Sequence, residues 1–250
     1  MDLDLAGRVY AVSGGTRGLG FATARELVAE GARVVLSGRD AKAADAAAAE
    51  LGGPAHAAGV AADNASPGAG DALTGAALRE FGRLDGVLIS TGGPPPGKVL
   101  ETSDERWAGA FESVFLGALR IARSAAGALQ PGGVIAFVLS SSVKSPITGL
   151  AISNGLRPGL AMVAKELADE LGPAGIRVLG LLPGRIATAR TEELDAGAPG
   201  RREAAEAAIP LRRYGDPAEF GRVAAFLLSP AASYLTGLVI PVDGGMIRAL

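Results

Sequence analysis

Three glycines follow the first β-rich run of the chain and stand directly before a helical pattern. Gly14, Gly18 and Gly20 carry no side chains, so backbone N–H groups at this turn can approach a phosphate closely. A helix that begins here also points the positive end of its dipole at the anion. This G-x-x-x-G-x-G spacing, in its strand–turn–helix context, predicts a site for the diphosphate of a dinucleotide.

Two arginines stand near this predicted site. An NAD site usually has an acidic residue at the end of its second strand, where it accepts hydrogen bonds from the ribose hydroxyls. This chain has Ser37, Gly38 and Arg39 there, and Arg17 lies inside the glycine loop. Because a guanidinium can grip a phosphate through two parallel hydrogen bonds, the pattern favours NADP, with NAD as the second choice.

Strand-like and helical runs alternate along the whole chain, with no linker and no repeat. Strands that are joined by helical crossovers must lie parallel, and both faces of such a sheet are covered. We therefore predict a single α/β domain over residues 1–250, a doubly wound parallel sheet of about seven strands with helices on both faces. Ligands are expected at the carboxyl ends of its strands.

Turn and cap residues predict where several helices begin and end. Gly31 and Gly82 are natural residues to follow a helix. Ser66 with Pro67 is expected to open the third helix as N-cap and first residue. The segment 102–105 has the spacing of a capping box before a long helix that ends near Leu129. Two further predictions are a helix over 153–171 and one capped by Asp216 and Pro217.

Composition excludes several classes of protein. The chain has 250 residues, a formal net charge of −2 and no block of basic residues, so a nucleic-acid partner is not expected. It contains no cysteine, which excludes disulfides and thiolate metal sites, and no metal site is expected. The acidic N-terminus and the lack of an 18-residue apolar run predict a cytoplasmic protein with no membrane partner.

Five landmarks together resemble the short-chain dehydrogenase/reductase family over the whole chain. Its compact form, and within it the 3-oxoacyl-(acyl carrier protein) reductases, is the most similar. The resemblance implies a Rossmann sheet and a nicotinamide cofactor. The landmarks are SGGTRGLG at 13–20, Asp63 after the third strand, LLPGRIAT at 181–188, PLRRYGDPAEF at 210–220 and YLTGLVIPVDGG at 234–245.

The resemblance also implies a set of cofactor-binding positions. The acidic residue after strand three meets the adenine in the family, and the segment at 181–188 touches the nicotinamide and the pyrophosphate. At 90–93 this chain has STGG in place of the usual N-N-A-G. The matching positions are Ser13, Gly14, Thr16, Arg17, Gly18, Leu19, Gly20, Arg39, Asp63, Thr91, Gly92, Arg157, Pro183, Gly184, Ile186 and Thr188.

The catalytic positions depart from the family pattern. The family uses Asn, Ser, Tyr and Lys, the last two spaced as Y-x-x-x-K. Here the Tyr position falls on Ser153, the Lys position on Arg157 and the Asn position on Val114. The family serine is kept within residues 140–142. Spacing favours Ser140 and the following valine favours Ser142, and both remain candidates.

These replacements remove the usual proton donor. A phenol with a pKa near 10 can be tuned towards neutrality, whereas an aliphatic hydroxyl is a far weaker acid. Arg157 stays charged, but it can bind the nicotinamide ribose and stabilise a developing oxyanion. Water or a loop lysine, Lys98 or Lys144, would then supply the proton.

Two classes of function follow from this pattern. The first is an NADP-dependent oxidoreductase that acts on a small-molecule carbonyl, alcohol or acyl thioester. The second is a non-catalytic NADP-binding sensor or partner subunit. The retained Ile186 and Thr188 favour the enzyme, and the lost Tyr–Lys pair favours the sensor. Residues 189–209 occupy the position of the family's substrate lid. Small-residue faces at 103–129 and 153–171 suggest a homo-oligomer, a tetramer or a dimer.

Overall fold

A computed structural model of the protein describes residues 2–196 and 200–249. Its centre is one sheet with strand order β3-β2-β1-β4-β5-β6-β7, in which every neighbouring pair is parallel. This order reverses direction between β1 and β4, which places a crevice at the carboxyl ends of those strands. The strands are β1 (Val9–Val12), β2 (Arg33–Gly38), β3 (Ala57–Ala61), β4 (Gly86–Ile89), β5 (Val134–Val138), β6 (Arg177–Pro183) and β7 (Leu238–Val242).

Helices cover both faces of the sheet and form two hydrophobic cores. One core contains side chains from α3, α5 and α6, and the other contains side chains from α1, α2 and α9. The predicted doubly wound parallel sheet of seven strands is confirmed. The helices are α1 (Gly18–Ala29), α2 (Ala41–Glu50), α3 (Ala69–Phe81), α4 (Asp104–Ala110), α5 (Gly117–Ala128), α6 (Ala151–Leu171), α7 (Ala189–Ala196), α8 (Arg201–Ala208) and α9 (Pro217–Leu228).

The central strands need both cores. All residues of β1, β4 and β5 are buried, because helices pack on each side of them. Such strands are continuous apolar runs, VYAV, GVLI and VIAFV. They lack the alternation of apolar and polar residues that is found in a strand with one solvent-exposed face. Burial of these runs fixes the positions of the loops that follow them, and those loops carry the candidate site.

Two predicted helix starts are wrong. The helix expected at Ser66 and Pro67 begins at Ala69, because a turn comes first, in which the Ala69 N–H donates to the Ser66 carbonyl at 3.1 Å. The helix expected to be capped by Thr102 begins at Asp104. The Thr102 hydroxyl instead donates to the Lys98 carbonyl at 2.7 Å, so it is not available as a cap.

Other predicted boundaries are confirmed. Gly31 and Gly82 follow their helices with φ angles of 84° and 75°, in the left-handed region. Asp216 caps α9 through a complete capping box. The long helix does end before Leu129, but α4 and α5 are joined by a π-helical turn at Phe111–Leu116 that the sequence pattern did not predict.

The predicted lid segment, 189–209, contains α7 and α8, and residues 197–199 lie outside the described part. α7 begins directly after the loop that follows β6, at the carboxyl end of the sheet. Across the described part of the chain, we find no helix with both the length and the apolar character needed to span a bilayer.

Candidate functional site

A cleft of about 1750 Å³ opens at the carboxyl ends of the strands. Small-molecule sites usually enclose about 300–1,000 Å³, so this cleft has room for a dinucleotide and a second ligand. The loops after β1, β2, β3, β4, β5 and β6 all contribute to its walls, together with α6 and α7. The topology therefore brings most of the residues singled out in the sequence to one place.

The glycine loop forms one end of the cleft. Gly14 and Gly18 have φ angles of 57° and 59°, a conformation that side chains disfavour. A Cβ atom on Gly14 would overlap the Ser90 carbonyl oxygen, and one on Gly20 would lie 2.5 Å from the Gly14 carbonyl oxygen. The turn is thus tight enough to exclude side chains, and its backbone is exposed to an incoming phosphate.

Two of the predicted cofactor residues support this loop from below. The fully buried Ser13 accepts a hydrogen bond from the Ser90 N–H at 2.9 Å, which ties the end of β1 to the end of β4. Gly20 packs against the loop. Neither residue lines the cleft, whereas the other predicted cofactor residues do.

Arg17 and Arg39 both line the same end of the cleft, as does Asp63. One carboxylate that the sequence argument passed over, Asp40, also lies there. Its Oδ1 accepts from the Lys42 N–H at 2.9 Å and caps α2. A carboxylate used in this way is directed at the helix, so the phosphate end keeps two guanidiniums without an ion pair among the described residues.

The other end of the cleft has features that suit a nicotinamide nucleotide. Ile186 and Thr188 line it, together with Pro183 and Gly184. The hydroxyl oxygen of Thr91 is buried there and has no hydrogen-bond partner among the described residues. Because an unpaired buried hydroxyl costs free energy, a ligand hydroxyl at this point would stabilise the loop. The cradle and this hydroxyl fit a dinucleotide.

The two candidate serines have different surroundings. Ser140 lines the cleft, and its oxygen accepts from the Ser142 N–H at 3.1 Å. Ser142 is buried with its hydroxyl oxygen 3.2 Å from that of Ser153 and is not part of the cleft wall. Ser153 does line the cleft, so Ser140 and Ser153 present hydroxyls to the same space while Ser142 supports the second of them. Val114 also lines the cleft, from the π-helical turn.

Arg157 is buried beneath the cleft, with only 5% of its surface exposed. Its guanidinium donates to the Val138 carbonyl at 2.8 Å and to the Gly92 carbonyl, which joins the end of β5 to the loop after β4. Burial, and then the nearby charge of Arg190, lower the pKa of Arg157 to about 10. Arg157, at the lysine position of the family, therefore holds two loops together in addition to placing a positive charge in the site.

Two further arginines contact the loop after β4. Sequence reasoning treated the arginines of residues 189–209, which include Arg190, only as a group that could meet an acidic ligand or be solvated, and it did not consider Arg106. Arg190 donates to the Pro94 carbonyl at 2.6 Å, and Arg106 donates to the Pro96 carbonyl at 3.0 Å. These residues lie on α7 and α4, and no local pattern connects them to the loop. The three consecutive prolines after STGG were the one available sign that this loop needs side-chain donors. Proline has no backbone N–H, so a proline-rich loop cannot pair its own carbonyls within the loop.

Asp195 of α7 connects this helix to the rest of the structure. Tyr214 donates its hydroxyl to Asp195 Oδ2 at 2.8 Å, and burial together with this hydrogen bond raises the pKa of Tyr214 to about 12. Arg185 and Arg201 lie 3.8 Å from the other oxygen of Asp195. Tyr214 thus holds α7 in place.

The two loop lysines also differ. Lys144 lines the cleft beside Ser140. Lys98 lies outside it and forms an ion pair with Glu101 at 2.8 Å. Of these two, Lys144 is the one placed to exchange a proton with a ligand.

Comparison with known proteins agrees with this architecture. The family model described as enoyl-(acyl carrier protein) reductase matches residues 14–247. The L-rhamnose 1-dehydrogenase (NAD(P)(+)) of Azotobacter vinelandii is 34% identical over 252 residues, covering 97% of each chain. The crystal structure of a short-chain dehydrogenase/reductase from Brucella melitensis, described as a glucose/ribitol dehydrogenase, has a TM-score of 0.93 at 31% identity over 100% of both chains.

A third similar protein has been solved with ligands bound. The L-sorbose reductase of Gluconobacter frateurii, solved with NADPH and L-sorbose, has a TM-score of 0.89 at 29% identity over 100% of both chains. With the sheet order and the cleft, these matches show that the chain belongs to the short-chain dehydrogenase/reductase family. It is an oxidoreductase of that family with a nicotinamide cofactor.

Proposed function

We propose that the protein is an NADP(H)-dependent oxidoreductase that interconverts a carbonyl group and an alcohol. The observation that carries the proposal is that one cleft joins the glycine loop, with its two arginines, to the segment around Thr188 and to two serine hydroxyls. A module that bound only adenosine would not need the second end. Because the cleft is built at both ends, it favours hydride chemistry over storage of a nucleotide.

The phosphate end supports NADP over NAD. Arg17 and Arg39 line the cleft there with two carboxylates, of which Asp40, next to Arg39 in the sequence, caps α2 and Asp63 follows β3 at the position assigned to the adenine. A 2′-phosphate would therefore meet guanidiniums and little repulsion. The NADPH named in the sorbose reductase structure, and the NAD(P)(+) named for the rhamnose dehydrogenase, are consistent with this preference.

The remaining predicted residues have definite roles in this proposal. Backbone N–H groups of the glycine loop hold the diphosphate, Asp63 meets the adenine, and Thr91 meets a ribose hydroxyl. The segment from Pro183 to Thr188 supports the nicotinamide. The bound cofactor supplies the hydride for reduction or accepts it for oxidation.

The protein's own groups then act on the substrate oxygen. In reduction, Ser140 and Ser153 donate hydrogen bonds to the carbonyl oxygen, and Arg157 stabilises the charge that develops there. Because neither hydroxyl is a strong enough acid to give up its proton, water or Lys144 protonates the resulting alkoxide. One hydride and one proton thus convert the carbonyl to an alcohol, and oxidation runs the same steps in reverse.

Several sequence predictions stay predictions. They are the single-domain organisation, the cytoplasmic location, the homotetramer or dimer, and an acyl thioester as the carbonyl substrate. The lid, residues 189–209, would close over that substrate.

Titration of purified protein with NADPH, followed by a panel of β-ketoacyl thioesters, quinones and diketones, tests the proposal. We expect saturable binding of NADPH and its oxidation by at least one carbonyl of the panel. Tight binding of NADPH without its oxidation by any compound of the panel would favour the non-catalytic sensor. In that case the serine hydroxyls, which are weak acids, would not support reduction. Absence of binding would contradict both functions.

A further inference from the structure

Alternate carbonyls of the loop after β4 are each held by a guanidinium. The carbonyls of residues 92, 94 and 96 accept from Arg157, Arg190 and Arg106. The three arginines, called the row below, therefore contact one loop and line one cleft, from the buried Arg157 to the exposed Arg106.

None of these three arginines forms an ion pair with a carboxylate in residues 2–196 or 200–249. A guanidinium has five N–H groups, and the carbonyls occupy only one or two of them on each residue. Each arginine thus keeps donors for a ligand. The carbonyls fix the guanidiniums in position, which lowers the entropy that a ligand must overcome.

The charge of the cleft differs from that of the whole chain. The chain has a net charge of −2, yet the described residues that line the cleft include nine arginines and lysines and four carboxylates. At the adenosine end the two arginines are balanced by Asp40 and Asp63. The excess lies at the other end, where the lining has seven cationic side chains and two carboxylates, Glu105 and Glu193. Two of the seven, Arg185 and Arg201, also lie 3.8 Å from Asp195, and the excess remains when that carboxylate is counted.

Two arginines of the row, Arg157 and Arg190, are close enough for the charge of one to affect the pKa of the other. The charge of Arg190 contributes to the lowered pKa of Arg157. The pKa of Arg190 is itself lowered, mainly by burial and further by Arg17, while Glu193 opposes this shift. Like charges that are held close together in a partly buried cleft raise the local positive potential. A bound anion would reduce the repulsion between them.

We propose that the substrate of this site carries an anionic group, a carboxylate or a phosphate, which Arg190 and Arg106 bind. The inference rests on the proposed function, because it places the reacting carbonyl at Ser140 and Ser153 and the anion further out along the row. Arg157 lies at the inner end of the row, next to the developing oxyanion. The planar fork of a guanidinium matches the two oxygens of either anion.

The diphosphate of the cofactor is a second possible source of the anion, since Arg190 also feels the charge of Arg17. The two sources predict different results. A group that binds the diphosphate affects NADPH and NADH equally, whatever the substrate. A group that binds the substrate affects only anionic substrates and leaves the affinity for both dinucleotides unchanged.

Matched substrate pairs provide the test. Acetoacetate is compared with methyl acetoacetate, and dihydroxyacetone phosphate with dihydroxyacetone, at saturating NADPH. The variants are Arg190→Gln, Arg106→Gln and Arg190→Lys, with Arg79→Gln on the exposed face of α3 as the charge-matched control. The dissociation constants of NADPH and NADH are measured for each, and calorimetry measures binding of each probe to protein loaded with NADP⁺.

We expect wild-type protein to prefer the anionic member of a pair in kcat/KM. Arg190→Gln should lower kcat/KM for that member about 10- to 100-fold, mostly through KM, as loss of one charged hydrogen bond would. The neutral member and both dinucleotide affinities should not change, Arg190→Lys should recover part of the loss, and Arg79→Gln should have no effect.

Equal use of the anionic and neutral members by wild-type protein would overturn the inference while leaving the proposed function intact. An Arg190→Gln defect shared by NADPH and NADH, with no selective loss of the anionic substrate, would assign the residue to the diphosphate and overturn it as well. If no pair is turned over, the proposed function fails with these probes and calorimetry decides the inference. Binding of dihydroxyacetone phosphate or acetoacetate that depends on Arg190 supports it, and no binding of either overturns it.

Discussion

Ser153 and Arg157 set the chemistry that this cleft can carry out. Ser153 faces the cleft from α6, with Ser142 behind it at 3.2 Å between the hydroxyl oxygens. An aliphatic hydroxyl in this position can donate a hydrogen bond to a carbonyl oxygen but is a poor source of a proton. Arg157 adds positive charge next to it. In the proposed reaction the proton therefore comes from water or Lys144, and substitutions at single residues test this source.

Ser153→Tyr should raise the rate of carbonyl reduction. A phenol close to the Arg157 guanidinium would be a much better acid than serine, and a positioned general acid contributes roughly 10²–10⁴-fold. Steady-state kinetics of the variant with NADPH measure the gain. Ser153→Phe is the control, because it has the ring without the hydroxyl. A gain with Phe equal to that with Tyr would show that proton transfer does not limit the wild-type protein.

Arg157→Met should destabilise the fold. It leaves the carbonyls of Val138 and Gly92 without their donor, and each buried unpaired acceptor costs about 1–3 kcal/mol. The removal of a buried charge offsets part of this cost, so we expect a net loss of about 1–3 kcal/mol in the free energy of unfolding. Urea denaturation of the variant and of Arg157→Lys measures it. Unchanged stability would contradict the role of Arg157 as a brace.

At the scale of the elements, local hydrogen bonds decide which sequence patterns become helix ends. Asp216 fulfils its predicted role because Glu219 completes the capping box and Arg213 pairs with Glu219 at 2.7 Å. Thr102 has the same type of pattern but uses its hydroxyl on the preceding turn. Periodicity likewise predicted the long helix that ends before Leu129. It could not predict the π-helical turn within it, because a change in hydrogen-bond register leaves the apolar pattern intact.

Asp216→Ala should cost about 1 kcal/mol of stability, the usual cost of losing an N-cap side chain. Asp216 Oδ1 accepts from the Ala218 N–H at 2.7 Å, and alanine would leave that donor without a protein acceptor at the start of α9. Chemical denaturation measures the change, and Asp216→Asn should retain most of the stability. A neutral effect of the alanine variant would contradict the assigned cap.

The stability contributed by Glu219 should depend on pH. Its hydrogen bonds with Arg213, and then with the backbone of Asp216, lower its pKa from 4.5 to about 2. A carboxyl whose folded pKa is lowered contributes stability above its unfolded pKa and loses it as the pH falls through its folded value.

Glu219→Gln should therefore be less stable than wild type at pH 7, by a margin that shrinks as the pH falls from 4.5 towards 2. Thermal melts across this range measure the margin, and Glu80→Gln on the exposed face of α3 is the control. A margin that does not depend on pH would show that the charge of Glu219 is not the source.

At the scale of the whole molecule, the sheet was predictable and the substrate end of the cleft was not. Strand-like runs that alternate with helical runs predict a doubly wound sheet. The topology of that sheet brings the glycine loop and Thr188 to one cleft. The row formed by Arg157, Arg190 and Arg106 depends on contacts between α4, α6, α7 and one loop. Such contacts between distant segments have no signature in a single sequence. The preference for NADP over NAD also belongs to this scale, because it depends on Arg17 in the loop after β1 and on Arg39 in the loop after β2.

Arg39→Ala should weaken binding of NADPH about 10-fold and leave binding of NADH unchanged. Loss of one exposed charged hydrogen bond to a 2′-phosphate has an effect of this size, and NADH has no such phosphate. Fluorescence titrations of both dinucleotides measure the two constants. An equal loss for NADPH and NADH would place Arg39 elsewhere along the dinucleotide.

The most direct test of the account is transfer of deuterium from NADPH labelled at C4 of the nicotinamide to the carbonyl substrate. Mass spectrometry of the product from wild-type protein measures it. The account predicts an alcohol with one deuterium on the carbon that bore the carbonyl, formed by a protein that has serine at position 153. NADPH that stays bound and unoxidised, or an alcohol without the label, would contradict it.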